Sequence, residues 1–136
     1  MICPIIHDPF FLAQKSEPAD ESDTQTIIDL LDTLRANIDR CVGMAGNMIG
    51  RQKRIIVFCD GSTQKVMVNP VIIAKSVEYQ TMEGCLSLSG ERCTKRFRKI
   101  TVKYQDQSFR SRTQNFEGYT AQIIQHEIDH CNGILI

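Results

Sequence analysis

Gln125-His126-Glu127-Ile128-Asp129-His130 sets two histidines four residues apart, with a carboxylate directly after the first. On an α-helix that spacing is about one turn, so both imidazoles share a face. Two neutral imidazoles held that way make half of a metal site, and a carboxylate beside them can move protons. With His126 at zero on a helical wheel, His130 falls at about 40°, Glu127 at about 100° and Asp129 at about 300°. Both carboxylates therefore lie about 80° from the direction the histidines face, one on each side. The wheel does not choose between them. The longer reach of glutamate favours Glu127 as the proton shuttle, leaving Asp129 to orient a neighbour or a ligating histidine.

The helix that carries this stretch should begin near Gly118 to Thr120 and stop at Asn132-Gly133, with Gly133 as a left-handed cap. Ala121, Ile124 and Ile128 should pack inward. Only Cys131 to Ile136 follow the second histidine. Metallopeptidases with this spacing usually draw a third ligand from downstream, and Cys131 is on another face. The third ligand is therefore sought upstream.

Glu83-Gly84-Cys85-Leu86-Ser87 closes a strand candidate. A thiolate with two imidazoles gives three protein ligands and leaves a fourth position open, the mark of a catalytic site. The other cysteines, at 3, 41, 59, 93 and 131, have no CxxC spacing and read as free thiols. His7, between Asp8 and Pro9, reads as a surface histidine outside the site.

The remaining chain gives an α+β reading: an N-terminal helix, antiparallel or mixed β-sheets, and the C-terminal helix with the histidines. Pro4, Pro9 and Pro18 make residues 1–20 an irregular arm, anchored by Phe10, Phe11 and Leu12. Residues 20–39 read as a helix with Ser22 and Gln25 at capping-box spacing and an apolar stripe of Ile27, Leu30, Leu31, Leu34 and Ile38. Residues 41–50 are a small-residue loop. Residues 55–59, 65–69, 71–82 and 99–105 are strand candidates, and 109–116 is a further extended piece. With 136 residues, one domain over 1–136 is expected.

Basic and acidic residues number 16 each, so the formal net charge is zero and no nucleic-acid partner is indicated. The basic run from Arg92 to Lys99 reads as a solvated strand-and-turn face. No signal peptide or membrane-length apolar run is evident, so a cytoplasmic location is expected.

Taken together, Glu83-Gly84-Cys85-Leu86-Ser87 and Gln125-His126-Glu127-Ile128-Asp129-His130 resemble two signature motifs of the peptide deformylases. The loop at 41–50 resembles the third, in the right order and place, and the resemblance spans nearly the whole chain. It implies one divalent metal ion on Cys85, His126 and His130, natively Fe2+, with Zn2+, Ni2+ or Co2+ as substitutes. It implies that Glu127 takes a proton from the attacking water and passes it to the departing amine, and that the Leu86 backbone N–H helps hold the oxyanion. Gly43 and Met44 would pair with the substrate backbone, and Met44, Tyr119 and Ile123 would line the formylmethionine pocket. The implied partners are N-formylmethionyl nascent peptides, with formate released. Ribosome association stays open, because the chain lacks the C-terminal extension of longer members.

The departures lie in the first motif, Gly-x-Gly-x-Ala-Ala-x-Gln in the family. Here Cys41, Gly46 and Met48 replace its first glycine, second alanine and glutamine. A thioether cannot donate to the formyl oxygen as that glutamine does, so reduced activity is expected, with the neighbouring Asn47 carboxamide as a candidate substitute. The alternative reading is a deformylase-like protein that binds metal or formyl peptides with weak or no turnover. A zinc endopeptidase is a third.

Overall fold

The computed structural model describes residues 1–136. In chain order the elements are α1 (Pro9–Leu12), α2 (Thr24–Ala36), β1 (Gly43–Ala45), β2 (Ile55–Asp60), β3 (Thr63–Gly84), β4 (Glu91–Gln105), β5 (Ser111–Glu117) and α3 (Gly118–Cys131). The strands form one antiparallel sheet in the order β1-β2-β3-β4-β5. Every strand lies beside its sequence neighbour, so short turns suffice and no crossover is needed. The α+β reading holds, and the antiparallel option is the one adopted.

The sheet divides two cores, and the period-two alternation of strand side chains explains the division. Ile55 and Val57 of β2 face α2, joined by Met44, Val66 and Val68 and by Ile27, Leu30 and Leu34. Ile56 and Phe58 face the other way, with Ala45, Met67, Ile100 and Val102 against Ala121, Ile124 and Ile128 of α3. A continuous apolar run such as Ile55–Phe58 is what a strand covered on both faces requires.

Several boundaries differ from the sequence reading. The first helix starts with a 3-10 turn at Glu21–Asp23, capped by Asp20 and Asp23 in place of Ser22 and Gln25. Its α-helical part ends at Ala36, so Ile38 falls off the stripe and is exposed. In the arm, Leu12 is buried but Phe10 faces solvent. The loop at 41–50 contains the short strand β1 and a 3-10 turn over Gly46–Ile49. The two strands expected at 65–69 and 71–82 are one, β3. It continues because Asn69 takes a left-handed φ of 53° at a register shift while its side chain bonds both backbone groups of Ala19.

The end of α3 follows expectation. Gly133 has φ 74°, its N–H donates to the His130 carbonyl, and the Ile134 N–H donates to Asp129. This is the paired bonding of a Schellman cap. A Cβ on Gly133 would also sit 2.5 Å from the Ala13 carbonyl oxygen. Gly133→Ala is therefore expected to cost about 2–3 kcal/mol, from the left-handed backbone and the forced shift of the arm together. A urea denaturation curve with an unmoved midpoint would contradict this.

Candidate active site

α3 presents His126 and His130 on one face, as the spacing required. Their Nε2 atoms lie 3.3 Å apart, and Cys85 Sγ lies 3.3 Å from His130 Nε2. The three ligand atoms fall within 4.8 Å of one another. Cys85 comes from the turn that follows β3, so the hairpin β3–β4 carries the thiol over the helix. All six cysteines are unpaired, and Cys85 alone joins the histidines. Burial pushes Cys41 and Cys131 up to about 12, which keeps both as thiols. Cys41 donates to the Gly43 carbonyl at 2.9 Å.

His126 Nδ1 bonds Glu83 Oε1 at 2.8 Å. That bond puts a proton on Nδ1 and turns Nε2 toward Cys85 and His130. Burial opposes charge on His126, but hydrogen bonds to Cys85 and Glu83 outweigh it and raise the imidazole to about 10. Burial, reinforced by His126 and Arg96, pushes His130 down to about 3. Two facing nitrogens this close need a cation between their lone pairs, either a shared proton or a metal ion. One sulfur and two nitrogens with a carboxylate behind one ring suit a divalent first-row metal, so the donor set fits.

Glu83 is in turn enclosed. Arg96 Nε and Nη2 donate to its two oxygens at 3.0 and 2.7 Å, and Gln122 Nε2 donates to Oε2 at 2.9 Å. Arg96 Nη1 reaches Asp129 Oδ2 at 2.7 Å. Asp129 is thereby committed to an ion pair, and Glu127 is the carboxylate left facing the site. The basic run is a solvated strand face at Lys95, Arg98 and Lys99, which are exposed, and Arg96 is the departure from that reading. The run lies inside β4, and Arg96 is only 4% exposed because two carboxylates compensate its charge. Sequence reading missed both Glu83 and Arg96. Glu83 stands inside a quoted motif, but nothing local distinguishes Arg96 from the other four basic residues of its segment.

Glu127 is 4% exposed, and its Oε1 has no partner. Burial pushes its carboxyl up to about 7. A Cβ on Gly43 would come within 2.8 Å of Glu127 Oε2, so only glycine lets β1 approach this carboxylate. A cavity of about 570 Å³ opens beside these groups, lined by Cys41, Gly43, Met48, Cys85, Leu86, Tyr119, Ile123, His126 and Glu127 among others. Tyr119 is exposed and stands at the rim.

Two expectations fail here. Met44 does not line the cavity: it is wholly buried in the α2 core. The Cys59 N–H bonds the Val42 carbonyl, so alternation turns the backbone of Met44 toward β2 and that of Gly43 toward the free edge. Asn47 is no substitute donor. It is fully buried, its Nδ2 donates to the His130 carbonyl at 3.0 Å, and it is absent from the cavity wall. Met48 does reach the cavity, and its Sδ accepts the Ala45 N–H at 3.4 Å.

Comparison with known proteins agrees with this geometry. Residues 2–136 match the family described as polypeptide deformylase. A peptide deformylase of Clostridium beijerinckii is 55% identical over 136 residues, covering the whole of both chains. A crystal structure of a peptide deformylase from Legionella pneumophila superposes with a TM-score of 0.88 at 36% identity, covering 99% of this chain and 83% of that one. A Met-Ala-Ser-bound peptide deformylase from Acinetobacter baumannii gives a TM-score of 0.89 at 26% identity, covering 99% and 96%. The motifs, the sheet-and-helix frame and this nearly full-length match lead to one conclusion: the chain belongs to the polypeptide deformylase family.

Proposed function

We propose that the chain, acting as a single domain over residues 1–136, removes the formyl group from N-terminal formylmethionine of nascent polypeptides and releases formate. The observation that carries this is the convergence of Cys85, His126 and His130 beside a cavity that the buried, unpartnered Glu127 also faces. Cys85, His126 and His130 would hold a divalent ion, natively Fe2+, which would supply Lewis acidity and bring the pKa of water down toward neutral. Zn2+, Ni2+ or Co2+ can take its place.

Glu127 takes the proton of the attacking water and returns it to the departing amine. Its raised pKa suits both steps, since a group that titrates near 7 gives up a proton as readily as it accepts one. The Leu86 N–H donates to the formyl oxygen as charge develops there. Gly43 offers its backbone at the free edge of β1, so an extended peptide joins as an added strand. Ile123 and Tyr119 line the space for the methionine side chain. The Met-Ala-Ser held by the Acinetobacter relative is the kind of tripeptide such a cleft would release.

The thioether of Met48 offers no donor for that oxygen. Met48→Gln is therefore expected to raise turnover on formyl-Met-Ala-Ser by about tenfold or more, because one well-placed donor is worth at least that much. Formate release under anaerobic, iron-loaded conditions measures it, and an unchanged rate would clear Met48 of limiting the enzyme. The same assay on the native chain tests the function. One metal per chain without formate would point to a binder, and cleavage of internal bonds to an endopeptidase. No helix is long and apolar enough to cross a membrane, and a cytoplasmic location accords with nascent chains as substrate. The ribosome remains a candidate partner on the same ground.

A further inference from the structure

We propose that His7 is a positioning residue that pins the turn carrying Cys85 and Leu86 and stitches it to the opposite wall of the cavity. The inference rests on that turn supplying a metal ligand and an oxyanion donor. His7 Nδ1 bonds the Ser87 carbonyl at 2.7 Å. The preceding residue, Ile6, donates its N–H to the Met48 carbonyl at 2.8 Å. Two consecutive residues of the N-terminal arm thus hold the two walls, one bearing Met48 and the other Cys85 and Leu86.

Beyond its packing against the core, the turn has few other hydrogen bonds to hold it. The β3–β4 ladder ends at the pair Gly84–Glu91, and no backbone hydrogen bond outside helices and strands involves residues 85–90. The Ser87 hydroxyl is buried without a partner, so the turn does not brace itself through that side chain. The other hydrogen bond to a carbonyl of this turn, from Arg92 Nη2 to Ser89, is exposed and 3.3 Å long. Leu86 and Ile5 both pack against the α2 core, which sets the arm alongside the turn. The pinned carbonyl is one residue from the Leu86 N–H and two from the Cys85 thiol. A displacement at Ser87 is passed through two peptide units to both.

The bond requires a proton on Nδ1, which the Nδ1–H tautomer and the imidazolium both carry. An asparagine amide reaches nearly the same point from the backbone, whereas leucine keeps the bulk and loses the donor. His7 is exposed, so either replacement leaves the core alone.

The test uses the cobalt-loaded full chain and follows metal release to EDTA together with the thiolate-to-cobalt absorption band. His7→Leu is expected to release cobalt about three- to tenfold faster and to shift the band, as loss of one hydrogen bond on a ligand-bearing turn predicts. His7→Asn is expected to stay within about twofold of the native rate. Native release and an unshifted band in His7→Leu would overturn the proposal, even if its melting temperature fell. So would His7→Asn behaving like His7→Leu. None of these readouts needs deformylation, so a native chain without turnover would overturn the proposed function and leave this inference standing.

Discussion

Glu127→Gln is expected to lower turnover by about 10²- to 10⁴-fold while the metal stays bound. The substitution keeps the size and shape of the side chain, so the cavity and the approach of Gly43 survive. It removes the ability to hold a proton at either oxygen. Glu127 lies outside the cluster of Cys85, His126 and His130, whose donor atoms fall within 4.8 Å of one another. Formate release from formyl-Met-Ala-Ser gives the rate, and metal analysis of the purified protein gives the occupancy. Near-normal turnover would sink the assignment. Asp129 is a poor replacement, because Arg96 already holds it at 2.7 Å. Loss of the metal along with the rate would instead place Glu127 among the groups that build the site.

Arg96→Leu is expected to cost about 3–5 kcal/mol of stability and to weaken metal binding. It removes a guanidinium that pairs with two carboxylates at once, and Glu83 among them is buried. Arg96→Lys should recover only part of the loss, since an ammonium cannot serve Glu83 with two parallel bonds while also reaching Asp129. Urea denaturation reads the stability. Metal affinity should fall about 10- to 100-fold, because Glu83 fixes the ring of His126. An Arg96→Leu chain of native stability and affinity would show the network to be incidental.

The same carboxylate gives a pH dependence with a definite sign. Burial alone would raise Glu83, but hydrogen bonds from His126 and Arg96 outweigh it and hold the carboxyl at about 2, against an ordinary 4.5. A carboxylate depressed in the folded state adds stability above the unfolded value, and that stability is lost as pH falls toward the folded one. The urea midpoint should therefore drop between pH 4.5 and 2. The drop should be shallower in Glu83→Gln. Equal slopes in the two proteins would remove Glu83 from the acid response.

Much of the site was legible before any fold was known. The four-residue spacing placed His126 and His130 on one face, and the short tail after them sent the search for a third ligand upstream to Cys85. The cap at Gly133 and the stripe from Ile27 to Leu34 were read correctly, because helices encode their period within a few residues. The resemblance to the deformylase motifs supplied roles that spacing could not. The departures at Met44 and Asn47 depend on contacts between distant segments. Met44 stays out of the cavity because strand alternation against β2 turns it into the α2 core. Asn47 is no donor to the cavity because the His130 carbonyl holds its amide.

By itself, then, the sequence determined the two long helices, the extended middle of the chain and which side chains can meet within one turn of helix. Such interactions depend on period and covalent geometry alone. The tertiary structure decided the choices between near-equivalent residues. The helical wheel left Glu127 and Asp129 equal. The β3–β4 register brought Glu83 and Arg96 together over α3, and Arg96 claimed Asp129. The arm brought His7 to Ser87 across 80 residues of sequence. A buried charge takes whichever opposite charge folding sets beside it, and that neighbour is fixed by register and packing rather than by local spacing.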